Sequence, residues 1–413
     1  MNLYADAQTI LREAIVAVQP EAAVTRALAQ LPPCPGRRIL VAVGKAACPM
    51  ASAALQALGG RVHAGIVITK HGHGVPLPAP LQVLEAGHPV PDAATYTATA
   101  QALALTANLT PDDQVLFLLS GGGSALFEQP LLSPQELTDV TQQLLACGAA
   151  IAQVNTIRKR LSAVKGGRFA LHCAPAQVWS VVLSDVLGDR LDMIASGPAC
   201  PDRSTAEEAL EIVSRYALRL SPQALACLRR PMPSALPNAQ SIVTGSVRQL
   251  VDAAARTCRR LGYDVEILTD CLQSEARDAG RWLAREALVR SGPRALLAGG
   301  ETVVHVMGPG LGGRNQELAL SAAAQIAGQR ALAIFSFGSD GTDGPTDAAG
   351  GYVDGQTQAA LARQGISIPD VLARNDAYHA LAACGGLIKT GPTGTNVNDL
   401  SVALLGPERQ GNY

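Results

Sequence analysis

The fold of this chain depends on Leu116-Phe117-Leu118-Leu119-Ser120-Gly121-Gly122-Gly123-Ser124-Ala125, where an apolar run of strand character ends in three glycines between two serines. Glycines leave backbone N–H groups uncovered by side chains, and the second serine can open a helix. Free N–H donors at a helix N-terminus attract anions, because the helix dipole favours negative charge there. The stretch predicts either a phosphate or carboxylate site or a tight turn without a ligand, and both interpretations stay open.

Similar apolar runs stand on both sides of this stretch. Strands are predicted at Arg38–Val43, Ile66–Thr69, Val83–Glu85, Val115–Leu119 and Val178–Leu183. Helical stretches lie between several of them, and capping boxes predict helices that open at Ser133 and at Ser204. Alternating strands and helices with short glycine and aspartate turns indicate parallel sheets covered by helices on both faces.

A proline-rich segment interrupts this alternation between Pro231 and Asn238. Proline cannot continue a helix or a central strand, so we interpret the segment as a linker. A second series follows, with strands predicted at Ser241–Thr244, Val303–Met307 and Leu400–Leu405, among others. We therefore expect an α/β protein of two domains, residues 1–238 and 239–413, each with a mainly parallel sheet flanked by helices.

Composition narrows the classes of partner. The 413 residues carry a formal net charge of −1 and no dense block of lysine and arginine, so nucleic acid is not an expected partner. The nine cysteines are scattered singly, which is typical of reduced thiols in a cytoplasmic protein. The first residues lack the pattern of a signal peptide, and no apolar run is long enough to span a bilayer, so we expect a cytoplasmic protein without a membrane partner.

Cations occur at two places that could serve a bound anion. Lys45 follows the strand Arg38–Val43, and ligands of α/β proteins collect at the carboxyl ends of strands. Taken by itself, however, a lysine at such a position is more often a solvated surface residue. The segment Asn155–Gly167 concentrates further cations, among them Arg160 and Lys165. Such a run is either a solvated helix face or a source of countercharge for an anion at the glycine turn.

Aspartates stand in two glycine turns. Asp185 and Asp189 follow the strand Val178–Leu183, where carboxylates can hold Mg²⁺ or accept a hydroxyl proton, although aspartate is also common in turns. Asp340 and Asp343 belong to the densest acidic loop of the chain, and hard carboxylates spaced by glycine suit Mg²⁺.

A second glycine-rich region runs from Gly308 to Gly313 and formally satisfies the dinucleotide fingerprint G-x-G-x-x-G. Asp340 stands where a ribose-binding acid would be expected, but further along than the usual gap of about 20 residues. Arg314 follows the last glycine directly and places a cation at a helix entrance. That arrangement suits a transferring phosphoryl group at least as well as a dinucleotide.

In combination and order these segments resemble the glycerate 2-kinase family, whose C-terminal part is called the MOFRL domain. The resemblance rests on Gly44–Ala46, Gly87–Asp92, Ser120–Leu126, Asn155–Gly167, Leu183–Pro198, Gly299–Glu301, Gly312–Glu317, Asp340–Pro345, Asn375-Asp376 and Gly391–Asp399. It implies phosphorylation of D-glycerate at the 2-hydroxyl with ATP and Mg²⁺, in a cleft between two α/β domains. It also implies that Lys45 and Arg314 are the catalytic cations.

The expected site residues follow from the motifs and the resemblance together. Catalysis is assigned to Lys45, Arg314 and Asp189; substrate and phosphate binding to Ser120, Gly121, Gly122, Gly123, Ser124, Arg160, Lys165, Glu301, Gly312, Gly313 and Asn396; and metal binding to Asp185, Asp189, Asp340 and Asp343. Relatives labelled hydroxypyruvate reductase, together with the dinucleotide match, leave an NAD(P)H-dependent reductase as the alternative function. A non-catalytic sensor of an organic acid would leave the acidic loops unexplained. We expect a monomer or a homodimer.

Overall fold

The computed structural model describes residues 2–407, which form two compact units. The first unit consists of residues 23–244, and the second joins the residues up to 22 to those from 245 onward. This division differs from the predicted boundary at 238/239, because the first helix belongs to the second unit and the strand after the proline-rich linker belongs to the first. The outer ends of the predicted domains, residue 1 and residues 408–413, lie outside the described residues.

The first unit is built on one sheet. Its strands are β1 (Arg38–Val43), β2 (Ala64–Lys70), β3 (Leu81–Ala86), β4 (Gln114–Leu119), β5 (Gln177–Leu183) and β6 (Ala239–Gly245), in the spatial order β3-β2-β1-β4-β5-β6. The first five strands pair in parallel, as predicted. Alternate residues of β1 and β4 enter hydrophobic cores on opposite faces of the sheet, which explains their continuous apolar sequences.

The second unit has a mixed sheet. Its strands are β7 (Asp264–Leu272), β8 (Arg294–Gly300), β9 (Leu332–Gly338), β10 (Gly350–Asp354), β11 (Leu387–Ile388) and β12 (Asp399–Leu405), in the order β11-β10-β9-β12-β8-β7. The strands β7 and β8 are parallel, whereas β12 runs antiparallel between β8 and β9. The α/β class with two helix-flanked sheets is confirmed, and parallel pairing dominates in the first unit only.

Helices cover both sheets. They are α1 (Leu3–Ala17), α2 (Pro20–Leu28), α3 (Ala47–Leu58), α4 (Ala93–Leu105), α5 (Gly123–Leu126), α6 (Pro134–Ala146), α7 (Ile151–Arg160), α8 (Arg168–His172), α9 (Ala206–Arg215), α10 (Pro222–Arg229), α11 (Val247–Arg260), α12 (Ala276–Leu288), α13 (Arg314–Gln325), α14 (Thr357–Ala362), α15 (Ile368–Ala373) and α16 (Ala377–Ala383), with 3-10 turns at Gly59–Arg61 and Ile194–Ser196. Within residues 2–407, none of these is long and apolar enough to cross a bilayer.

Two local predictions are wrong. The capping box before α9 is formed by Thr205 and Glu208, one residue later than predicted, and each side chain bonds the other residue's backbone N–H. The predicted strand Val303–Met307 is absent apart from one bridge at Val303. Three of its four apolar side chains, those of Val303, Val306 and Met307, are exposed. The N–H of Met307 donates to the side chain of Asn375 instead of to a strand.

Candidate active site

The glycine turn of the first unit lies beside Lys45. The strands β1 and β4 pair in parallel up to Val43 and Leu119, so the residues that follow each strand meet at the same edge of the sheet. The backbone N–H of Lys45 donates to the carbonyl of Gly121 at 2.9 Å, and the next N–H, that of Ala46, donates to Oγ of Ser120 at 3.1 Å. The structure therefore brings Lys45 and Ser120–Ser124 together, as expected.

Glycine is required in this turn because side chains press against it. A Cβ on Gly122, whose φ is +88°, would lie 3.0 Å from Cδ2 of His88 and 3.4 Å from Cγ of Lys45. A Cβ on Gly121 would collide with the carboxylate of Asp185. The absence of these Cβ atoms lets the side chains of His88, Lys45 and Asp185 surround one short backbone segment.

The backbone donors of the turn remain available. The N–H groups of Gly121, Gly122 and Gly123 donate to no acceptor within residues 2–407. The helix that follows, α5, has only four residues, so its dipole is weaker than that of a longer helix. An anion at this turn would depend on the free N–H groups and on Lys45.

His88 was not assigned to the site from the sequence. Its imidazole has a pKa below the ordinary value, because burial and then the neighbouring charges of Lys45 and Lys70 disfavour the imidazolium. The ring beside Gly122 is therefore neutral near pH 7 and can accept or donate one hydrogen bond. The segment Gly87–Asp92, which carries part of the family resemblance, held the only sequence signal for this residue.

Two cations predicted to bind phosphate have structural partners instead. Arg160 is 1% exposed, and its guanidinium donates to the backbone carbonyls of Leu228, Arg230 and Ser204. Lys165 is fully buried and lies 2.6 Å from the carboxylate of Glu128. The terminal nitrogens of Arg160 and the ammonium of Lys165 are thus engaged by groups of the protein itself.

The cation of this region that contacts the turn is Arg158. Its NH2 group donates to the carbonyl of Ser124 at 3.3 Å, and it lies on α7, as do Lys159 and Arg160. A run of three cations on one helix does not reveal which of them points to a given loop. The hydroxyl of Ser124 also contacts that of Ser196 at 3.2 Å, which connects the glycine turn to the 3-10 turn Ile194–Ser196 after β5.

Of the aspartates that follow β5, one has a buried unpaired oxygen. Asp189 has a positive φ of 51°, and its Oδ1 is buried without a hydrogen-bond partner in the described chain. An orphaned carboxylate oxygen is costly in an apolar environment and is the kind of group that a cation or a hydroxyl would satisfy. Asp185 lies against Gly121, as described above, and Asp189 follows it in the same loop after β5.

In the second unit, strand register gathers a charged cluster. Asp399 begins β12 and pairs with Gly300 at the end of β8 and with Gly338 at the end of β9. Arg314, the first residue of α13, donates from Nε and NH2 to the Asp399 carboxylate at 2.5 and 2.9 Å. Its NH1 lies 3.2 Å from Glu301, whose other oxygen accepts from Asn398. The fork of Arg314 is thus held in one orientation.

The electrostatics of this pair favour the charged arginine. Burial opposes the charge of Arg314, but the hydrogen bonds and charge of Asp399 hold the pKa of the guanidinium above its ordinary value. Burial also raises the pKa of Asp399, although the bonds from Arg314 act in the opposite direction. Arg314 is therefore a fixed cation that is one-third exposed.

Asp343 caps α13. Its Oδ1 accepts from the backbone N–H of Asn315 at 3.1 Å and its Oδ2 from that of Gln316 at 2.9 Å. A Cβ on Gly313 would collide with this carboxylate, so glycine is needed there for the cap to approach. Burial raises the pKa of Asp343 to about 6. Both oxygens are occupied by backbone donors, which makes Asp343 a structural residue.

The remaining predicted residues of this unit occupy loops. Asp340 follows β9, and its Oδ1 accepts from the N–H and hydroxyl of Thr342 in a local turn. Asn396 is exposed, and its Oδ1 accepts from the N–H of Asn398. Gly312 is approached by the backbone of Ala377. Within residues 2–407, no three histidine, cysteine, aspartate or glutamate side chains converge as a preformed metal site.

The dinucleotide fingerprint is not supported by its surroundings. No strand leads directly into Gly308, because β8 ends at Gly300. A Cβ on Gly308 or on Gly310 would collide with the backbone of Arg374. The strands β8 and β9 are separated by the antiparallel β12, so the βαβ unit that the fingerprint needs is not formed. These glycines serve the packing of two loops.

Comparison with known proteins gives matches over both units. The domain of unknown function DUF4147 matches residues 6–229, and the MOFRL family matches residues 294–399. The D-glycerate 2-kinase of Thermotoga maritima is 48% identical over 405 residues, covering 96% of this chain and 97% of that protein. An Agrobacterium vitis protein provisionally named hydroxypyruvate reductase is 40% identical over 90% of this chain and 100% of its own.

A solved structure agrees in fold. The crystal structure of glycerate kinase from Thermotoga maritima superposes with a TM-score of 0.94 at 48% identity, and the match covers 98% of this chain and 99% of that one. The similarity therefore extends to both units and their mixed topology.

Proposed function

The chain belongs to the glycerate 2-kinase family, and on that premise we propose that it transfers the γ-phosphoryl group of Mg-ATP directly to the 2-hydroxyl of D-glycerate, forming 2-phosphoglycerate. As a member of this family it is a phosphotransferase with an alcohol acceptor. The proposal rests first on the glycine turn, where three free backbone N–H groups adjoin Lys45.

The turn suits a phosphate because its donors are fixed. Phosphoryl transfer needs positioned donors and cations around the non-bridging oxygens, and little covalent chemistry from the protein. The N–H groups of Gly121–Gly123 and the ammonium of Lys45 supply that set in the first unit. We propose that Arg314, held by Asp399, supplies the second cation, which stabilises charge developing on the transferred group.

The acceptor hydroxyl needs a partner for its proton. We propose Asp189 for this contact, since its buried Oδ1 has no hydrogen-bond partner in the described chain. His88, neutral and adjacent to Gly122, is a second group that can orient a hydroxyl or a carboxylate of the substrate at this turn. Because the transition state is loose, the gain from the base is smaller than that from the cations.

Magnesium fits the residues of the first unit in a limited way. Mg²⁺ usually binds through one or two carboxylates together with substrate phosphates, rather than in an all-protein cage. The buried, unpartnered Oδ1 of Asp189 fits that mode, and Asp185 and Asp189 would hold the ion. Once bound with ATP, Mg²⁺ would neutralise charge on the β- and γ-phosphates.

A reductase function finds no support in the loop that suggested it. Gly308 and Gly310 are covered by the Arg374 backbone, where a dinucleotide phosphate would have to lie. Reductase activity, which the name of the Agrobacterium vitis relative states, is therefore the competing outcome in the assay.

Paired assays test the proposal. ADP release from D-glycerate, ATP and Mg²⁺ is expected from the purified protein, whereas hydroxypyruvate should cause no oxidation of NADH or NADPH. Lys45→Ala should lower kcat by about 10², the scale for loss of one preorganised charge partner. Arg215→Ala, which removes an exposed ion pair on α9, is the matched control and should leave kcat unchanged. Reductase activity without kinase activity would overturn the proposal.

A further inference from the structure

A cavity of about 690 Å³ lies in the first unit at the end of β1 opposite to Lys45. Its polar lining includes Arg38, Arg61 and His63, and its walls include Leu28, Leu31 and Pro32. Aspartate and glutamate are absent from the described residues that line it. A cavity with two guanidinium groups and no acid has a local excess of positive charge, although the chain as a whole is nearly neutral.

Arg38 is the central group of this cavity. Arg38 is 5% exposed, and its Nε donates to Oε1 of Gln114 at 2.7 Å. The two terminal nitrogens, NH1 and NH2, donate to no acceptor within residues 2–407. Burial lowers the pKa of this guanidinium, and the nearby charge of Arg61 acts in the same direction. These two nitrogens are not sealed from solvent and open onto the cavity, where they can pair with an anion.

The neighbouring groups leave this charge uncompensated. Arg61 donates from Nε and NH2 to the carbonyls of Leu58 and Ala57, and so remains a fixed cation. The adjacent acid, Asp113, is engaged by the guanidinium and the backbone N–H of Arg37. Nδ1 of His63 accepts from the backbone N–H of Arg38, so the neutral ring carries its proton on Nε2 as another donor.

We propose that this cavity binds a small organic anion, whose carboxylate or phosphate pairs with Arg38 and Arg61 while its carbon skeleton packs against Leu28, Leu31 and Pro32. Planar guanidinium groups recognise both anions through paired N–H donors. The apolar walls distinguish an organic anion from a free inorganic ion, because they gain nothing from a fully hydrated one. The site is separate from the glycine turn, since it lies at the other end of the same strand.

Calorimetric titration of the full chain tests this site. D-glycerate and a non-hydrolysable ATP analogue are first added at saturation, so that further binding reports a second site. The probes are 3-phosphoglycerate, pyruvate and inorganic phosphate. At least one of the organic anions should bind with one equivalent per chain, and more tightly than inorganic phosphate. Equal affinity for all three would contradict the role of the apolar wall.

Variants locate the binding. Arg61→Ala, on the surface, should weaken it about tenfold or more, and Arg38→Gln should abolish it. Arg330→Ala is the matched control, because this exposed arginine lies in the second unit. If Arg38→Gln fails to fold by thermal unfolding, Arg61→Ala decides alone. No second equivalent for any probe, or a second equivalent that Arg61→Ala leaves unchanged, would overturn the proposal.

Discussion

At the scale of single residues, the contacts of Arg314 change what its removal should do. From the sequence, Arg314→Ala should reduce turnover and leave folding nearly unchanged. In the structure its guanidinium satisfies both oxygens of Asp399, whose side chain is 7% exposed. Removal of the arginine therefore leaves a buried carboxylate without its cation, and stability must fall together with activity.

A double substitution separates these two effects. Arg314→Ala is expected to lower kcat by about 10² and the free energy of unfolding by about 3 kcal/mol. Adding Asp399→Asn should restore much of the stability, because the uncompensated charge is gone, but none of the turnover. Urea unfolding and steady-state kinetics measure the two quantities. Recovery of kcat in the double variant would remove Arg314 from the mechanism.

The buried cap of α13 predicts a dependence of stability on pH. The pKa of Asp343 is about 6 in the folded chain and about 3.9 in an unfolded one. Between these values the folded state binds more protons than the unfolded state, so the free energy of unfolding falls as pH rises. We expect a loss on the order of 2 kcal/mol between pH 4 and pH 7 from this group.

The fluorescence of a single tryptophan can measure this pH dependence of the free energy of unfolding. The chain has two tryptophans, so a Trp179→Phe background leaves Trp282 in α12 to report the second unit. Asp343→Asn should remove the loss, whereas Asp370→Asn, an exposed acid of the same unit, should retain it. An unchanged pH dependence in Asp343→Asn would show that this carboxyl titrates normally.

The sequence could predict the location of some proposed site residues but not the contacts of others, for a physical reason. Lys45 and Arg314 directly follow a strand and a glycine turn, and those positions alone place them at a sheet edge. Arg160 belongs to a helix, where the direction of a side chain depends on how the helix packs. That packing is a tertiary property, so the structural role of Arg160 could not be predicted from its local sequence.

At the scale of elements, the turn after β4 combines a strained backbone with a crowded surface. Gly122 and Gly148 both have positive φ, at +88° and +70°. A Cβ on Gly122 would meet His88 and Lys45, whereas one on Gly148 would meet nothing within 4 Å. The two glycines thus form a matched pair in which only one adjoins the candidate site.

Alanine substitutions at this pair separate backbone strain from function. Each should lower the free energy of unfolding by about 1 kcal/mol, because alanine disfavours positive φ. Gly122→Ala should also reduce kcat/KM about tenfold or more, since it displaces Lys45 and His88. Equal kinetic effects of Gly122→Ala and Gly148→Ala would indicate that the turn does not contact substrate.

Element prediction succeeded where the pattern is continuous. The apolar runs of β1 and β4 are buried on both faces, so their sequence is distinctive. The strand predicted at Val303–Met307 is also rich in apolar residues but is mostly exposed, and the N–H of Met307 bonds a side chain. Hydrophobic content alone does not distinguish a buried strand from a loop. The antiparallel position of β12 between β8 and β9 is likewise not predictable from the local sequence of any of these strands.

At the scale of the whole molecule, the chain crosses between its units twice. The helix α1 belongs to the second unit, where Glu13 accepts from Thr257 and Arg260, and Tyr263 donates to Asp6. The amphipathic sequence of α1 indicates one buried face, but it does not reveal which of the two cores that face contacts. The predicted boundary at 238/239 places α1 in the first domain for the same reason.

Deletion of residues 1–18 should therefore destabilise the distant part of the sequence. Loss of buried residues such as Ile10 and of the polar contacts to α11 should cost the second unit more than about 3 kcal/mol. Trp282 should report this loss in urea, while Trp179, read in a Trp282→Phe background, should report an unchanged first unit. A loss of stability that Trp179 reports and Trp282 does not would contradict this division of the chain into units.

The central claim is direct phosphoryl transfer to the 2-hydroxyl, and phosphorus NMR of one reaction tests it most directly. The full chain is mixed with D-glycerate, ATP and Mg²⁺, and the spectrum is followed over time. The γ-phosphate signal of ATP should be replaced by that of 2-phosphoglycerate in equal amount with ADP, and added EDTA should stop the exchange. Formation of 3-phosphoglycerate, or release of inorganic phosphate alone, would contradict the account.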